Sequence, residues 1–176
     1  QRSEAENKAA FSQKLTNLLD KTNEQLRREL ERTQSFLGAL VGLYWPDSLY
    51  EQLEAEQRRE NTHHALTALI KAEARCQPTL LILEDIHWQD EESGSFLQEL
   101  VRVLTLEEGQ QTALGILMTA RNEVPVELPA ELPLENLLLS PLGDASLDGL
   151  IEDMLGGLAA PSLREILAEQ AEGNPY

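Results

Sequence analysis

The chain has one cysteine, Cys76, among 176 residues. No disulfide can therefore close within it, and its composition fits a reducing cytoplasm. A lone thiol without a surrounding motif reads as a small residue near a helix end. No apolar run approaches the roughly 18 residues that a membrane span requires. The amino terminus shows neither a basic-then-apolar leader nor an initiator Met, the pattern expected of an excised segment. No Gly-Lys pair occurs anywhere, so the phosphate-cradling Gly-x-x-x-x-Gly-Lys-[Ser/Thr] loop is missing from these residues. Gly38-Ala39-Leu40-Val41-Gly42 has neither its spacing nor its lysine.

Basic residues are scarce on one side only. Gln1 to Cys76 hold 11 Lys+Arg against 12 Asp+Glu, whereas Gln77 to Tyr176 hold 3 against 19, within a net charge of −17. A section this acidic repels nucleic acid and anionic membranes. Direct nucleic-acid contact by this segment is disfavoured, although another part of the same polypeptide could bind DNA.

What is present is a chain long enough for one ordinary domain, with 41% hydrophobic residues. Its centre is Thr79-Leu80-Leu81-Ile82-Leu83-Glu84-Asp85-Ile86-His87-Trp88-Gln89-Asp90. Pro78 opens an unbroken apolar run that ends in two adjacent carboxylates, the pattern of a strand buried on both faces of a parallel sheet covered by helices. Acids at the carboxyl end of such a strand lie where open α/β sheets bind ligands. One carboxylate there can hold Mg²⁺ while its neighbour orients or deprotonates a water for attack on a phosphate. The alternative is a buried strand whose exit is charged only for solubility.

Before this stretch the chain reads as helical. Phe11, Leu15, Leu18 and Leu19, then Leu26, Leu30, Phe36, Leu37 and Leu40, recur at helical spacing. Asp20 to Asn23 either break this helix or are spanned by it. Pro46 ends the segment, with Tyr44 and Trp45 as packing anchors. Asp47 or Ser48 can cap a second helical stretch that runs from Leu49 to Cys76. His63 and His64 are adjacent, point about 100° apart on a helix and cannot chelate one metal together; they read as surface residues.

After the carboxylates, Asp90-Glu91-Glu92-Ser93 start a helix whose stripe is Phe96, Leu97, Leu100, Val101 and Leu104. Ala113 to Ala120 form a second buried strand. Strand, helix and strand of this length make a βαβ unit with parallel strands, so Arg121 emerges on the same sheet edge as Glu84 and Asp85. A guanidinium there could contact a γ-phosphate or form an internal salt bridge to Glu84 or Asp85. Val124 to Pro133 read as an extended proline-rich loop and Leu137 to Leu142 as a short strand. Two helices follow, around Ala145 to Leu155 and Ser162 to Glu172.

Leu-Leu-Ile-Leu-Glu-Asp-Ile-His-Trp-Gln-Asp-Glu-Glu-Ser resembles the Walker B segment of the signal-transduction NTPases with numerous domains. The wording is most similar to the AAA-type ATPase modules of bacterial nucleotide cyclases, protein kinases and large transcriptional regulators. The resemblance spans roughly residues 49 to 176 and is densest at Glu84 to Asp90, Thr119-Ala120-Arg121 and Gly173-Asn174-Pro175-Tyr176. It implies an incomplete P-loop NTPase of the ASCE type: an α/β parallel sheet flanked by helices, followed by a helical lid. Residues 1–76 are then a helical segment, 77–142 the α/β core and 143–176 the start of the lid. It further implies catalytic and metal-holding roles for Glu84 and Asp85, though Glu-Asp departs from the usual Asp-Asp or Asp-Glu order. Arg121 would sense the γ-phosphate, and Gly173, Asn174 and Pro175 would meet adenine, with Pro175 packing on the base. An arginine-bearing helix before the Walker B strand is usual in these proteins, and Arg58-Arg59-Glu60-Asn61-Thr62 is similar to it.

The implied ligands are ATP or ADP and Mg²⁺, and the implied partners are the rest of its own polypeptide and a second copy of the chain. With the P-loop strand lost upstream, the sheet is expected to be incomplete and the segment alone inactive, binding ATP no more tightly than about 1 mM. The competing function is a helix-rich interaction scaffold that keeps a degenerate NTPase fold without chemistry. A metal-dependent hydrolase built on Asp85, Asp90, Glu91 and Glu92 is disfavoured, because most of those acids follow one another in a helix start.

Overall fold

The computed structural model describes residues 3–106, 113–121 and 135–171. The chain divides into two compact units, Gln1–Pro133 and Leu134–Tyr176.

The first unit begins with α1 (Glu4–Leu19) and α2 (Glu24–Leu40). Asn23 separates them, its side-chain oxygen accepting from the Leu26 N–H at 2.9 Å, which fills one of the orphan donors at a helix start. The reading of one continuous helix is thereby excluded. Then come α3 (Leu49–Gln52) and α4 (Ala55–Cys76). These replace the single helix expected from Leu49 to Cys76, because Leu53 turns extended at φ −96° and ψ 154°. Leu49, Tyr50 and Leu53 pack against the core by doing so, and Tyr50 meets the Phe36 ring edge-on at 5.5 Å. Burial of large side chains outweighs two or three helical hydrogen bonds here.

The core is the α2–α4 seam. Leu30 and Phe36 of α2 are fully buried, against Ala65, Ala68 and Ala72 of α4; the small α4 residues let the two helices approach closely. Trp45 anchors the turn after α2 as expected. A Cβ on Gly38 would lie 2.2 Å from its ring, so only glycine fits beneath it.

Strands β1 (Thr79–Leu83) and β2 (Leu114–Met118) are joined through α5 (Glu91–Leu106) and pair in parallel, from Thr79 opposite Leu114 to Leu83 opposite Met118. This α/β unit has the P-loop-like pattern that was anticipated. Burial on both faces is corrected: the strands alternate, with Leu80, Ile82 and Leu117 more than half exposed. Among the described residues the sheet has two strands, and α4 and α5 line the opposite side.

The second unit holds α6 (Asp144–Leu155) and α7 (Pro161–Ala171). Gly156 at φ 71° closes α6 in the left-handed conformation that glycine takes without a Cβ penalty. Pro161 stands at the first position of α7, where its missing N–H costs nothing. Arg164 forks onto both carboxylate oxygens of Asp148, Nη2 donating to Oδ2 at 2.8 Å. The strand read at Leu137 to Leu142 does not form. Leu137, Leu138 and Leu139 are irregular and at least 71% exposed, with no strand paired to them among the described residues.

Candidate functional site

The carboxylate pair sits on a sharp turn at the end of β1. Glu84 leaves the strand, Asp85 takes φ 53° and ψ 41°, and Ile86–Trp88 form one turn of 3₁₀ helix. The left-handed conformation is costly for most residues, and Asp is among the few that adopt it. Thr119, just past β2, fastens the turn with three groups. Its N–H donates to the Leu83 carbonyl at 3.0 Å, and its carbonyl accepts from the Ile86 N–H at 2.9 Å. Its hydroxyl oxygen accepts from the Asp85 N–H at 3.0 Å. Both carboxylates remain exposed.

Parallel pairing brings the ends of β1 and β2, with Glu84, Asp85 and Arg121, to one end of the sheet. Arg121 makes no ion pair with Glu84 or Asp85 among the described residues. Its guanidinium lies over the exposed Trp88 ring, 5.7 Å from the centroid, and its backbone N–H donates to His87 Nδ1 at 3.4 Å. Asp90 caps α5 by accepting from the Ser93 N–H at 2.8 Å. That bond, from the backbone first and the side chain second, holds its carboxyl below the usual carboxylate range.

An apolar groove of about 830 Å³ runs beside this turn between α4, β1 and α5. Its charged rim is Glu84, Asp85, Asp90 and Glu92, and its described lining includes no Lys or Arg. Mg²⁺ is commonly held by one or two carboxylates, with water and phosphate oxygens completing its shell. Glu84 and Asp85, adjacent and open to solvent, fit that donor set. No group of three or more His, Cys, Asp or Glu suited to a metal occurs among the described residues, so these residues alone offer no closed metal cage.

Two other expectations are settled by packing. His63 is buried rather than on the surface, with Nδ1 3.5 Å from Glu99 Oε2 and its ring against Phe96; the more exposed His64 meets the other oxygen of the same carboxylate at 3.5 Å. Arg58 is engaged with α3, over the Tyr50 ring and donating to the Glu51 carbonyl at 3.2 Å. Gly173, Asn174 and Pro175 lie outside the described residues.

A family model described as AAA ATPase domain matches residues 2–116. The chain belongs to the AAA ATPase domain family. No curated protein and no solved structure matches it. As an AAA ATPase domain the chain is a nucleotide-binding module. The matched region contains Glu84 and Asp85 and ends within β2, before Thr119 and Arg121. Thr119 and His87 stand in the sequence only as parts of motifs, and the one signal for their contacts is a polar residue at a strand exit that faces another strand exit.

Proposed function

We propose that this AAA ATPase domain is part of an ATP-dependent regulatory switch in a multidomain signalling or transcriptional protein. The observation that carries the reading is the Glu84–Asp85 turn, fastened through Thr119 to the segment that follows β2 and holds Arg121. Bound Mg²⁺ would neutralise phosphate charge, with Glu84 and Asp85 as its protein ligands. Asp85, or Glu84 if the roles are exchanged, orients the attacking water and takes its proton. Arg121 contacts the γ-phosphate, while Gly173, Asn174 and Pro175 receive adenine. The described groove has an acidic rim and a lining without Lys or Arg, and the reading takes the phosphate cradle from a longer polypeptide.

In such a polypeptide Asp85→Asn should leave ATP binding largely intact and slow hydrolysis by about 10²-fold or more, the usual contribution of positioned proton transfer. Single-turnover hydrolysis at the wild-type rate would remove Asp85 from this role.

A further inference from the structure

We infer that His87 is a positioning residue that fixes the strand end at Arg121 relative to the Asp85 carboxylate. The inference rests on the reading of Asp85 and Arg121 as parts of one nucleotide site. The His87 side chain is 1% exposed, and its Nδ1 stands between two groups of that site: 3.4 Å from the Arg121 backbone nitrogen and 3.9 Å from Asp85 Oδ1. The Arg121 N–H is a donor only, so Nδ1 is the acceptor in this contact. Nε2 is buried without a hydrogen-bond partner, an arrangement that costs stability. An apolar side chain in the same space would avoid that cost. What the ring supplies in exchange is the acceptor at Nδ1.

The neighbouring residue completes the grip. Trp88 packs against the His87 ring at 5.0 Å and carries the Arg121 guanidinium on its face. The dipeptide thus holds Arg121 twice, its backbone through His87 and its side chain through Trp88. Both holders belong to the turn that starts at Asp85. A shift of the carboxylate turn is therefore transmitted to the arginine, and His87 adds a contact at Arg121 itself to the bonds that Thr119 makes two residues earlier.

Nitrogen-15 and amide-exchange NMR on the 176-residue chain tests this directly. In His87→Leu the Arg121 amide should exchange about five-fold faster, the change that an ordinary hydrogen bond supports. His87→Asn, whose side-chain oxygen can stand where Nδ1 does, should restore the wild-type rate. The Thr119 amide, which donates to Leu83, should be unchanged in both variants and so report an intact turn. An unaltered Arg121 amide in His87→Leu, or no rescue by His87→Asn, would each overturn the inference. Adding Mg²⁺ decides the site reading separately. If Mg²⁺ moves neither the Glu84 nor the Asp85 resonance, that reading falls, while the exchange comparison still decides the His87 contact.

Discussion

Replacing Thr119 by Val removes one oxygen and keeps the shape of the side chain. In the wild type that oxygen accepts from the Asp85 N–H at 3.0 Å, while the backbone of Thr119 makes two further bonds to Leu83 and Ile86. Val preserves the two backbone bonds and leaves the Asp85 N–H facing a methyl group. A buried donor abandoned in this way costs about 1–3 kcal/mol, whereas an intramolecular bond that water can replace contributes about 0.5–1.5 kcal/mol. The turn is exposed, so the smaller range applies, and Thr119→Val should destabilise the first unit by about 1 kcal/mol. With a urea slope of about 2 kcal/mol per molar, the midpoint falls by about 0.5 M. Urea unfolding followed by Trp fluorescence measures it, with Thr119→Ser as the control that keeps the oxygen. The Asp85 amide should also exchange faster in the Val variant and not in the Ser variant. Equal midpoints for Val and Ser, or a Val midpoint at the wild-type value, would refute the assignment of the hydroxyl as the fastener of the turn.

Asp85 itself sits at φ 53°, so Asp85→Gly should keep or slightly raise stability, whereas Asp85→Val should cost about 1–2 kcal/mol from the left-handed conformation; paired thermal melts separate the two. The Arg164 hydrogen bond, and then its charge, holds the Asp148 carboxyl below its ordinary value. That pair therefore supports the α6–α7 hairpin fully above the ordinary carboxylate range. Its support is lost as pH falls below about 4 toward the depressed folded value, and Asp148→Asn should abolish this part of the acid dependence of the helical circular-dichroism signal. In a longer polypeptide that binds nucleotide, Arg121→Ala should narrow the difference between ATP and ADP states, because only a group reading the γ-phosphate can separate them. Pro175→Ala should instead weaken both nucleotides about equally. Distances between fluorophores at Ser95 and Ser162 would report both effects.

Local chemistry carried most of the secondary structure into the sequence. An apolar run after Pro78 ending in Glu84-Asp85 gave β1 and its exit, and the same pattern gave β2, because both signals lie within a few residues. Asn23 could cap a helix or sit inside one, and only the bond to Leu26 decides it. The break at Leu53 was hidden because its cause is distant: Phe36 and the α2 core draw Tyr50 and Leu53 inward. His63 looked like a surface residue for the same reason, since Glu99 and Phe96 arrive from α5. Leu137 to Leu139 show the converse, an apolar run with no strand paired to it among the described residues. At the site, spacing located Glu84, Asp85 and Arg121 at one end of the sheet through the βαβ rule. The Thr119 hydroxyl that fastens Asp85 is 34 residues away along the chain, and no local pattern announces it.

The central claim is that the Glu84–Asp85 turn is the metal end of the nucleotide site, and Mn²⁺ titration of the isotopically labelled chain tests it most directly. Paramagnetic broadening falls off steeply with distance, so the first resonances lost mark the ion. The amides of Glu84 to His87 and of Arg121 should broaden before those of Glu91, Glu92 and the other exposed acids. This order should disappear in the Glu84→Gln, Asp85→Asn double variant. Broadening spread evenly over the acidic surface, or unchanged in the double variant, would contradict it.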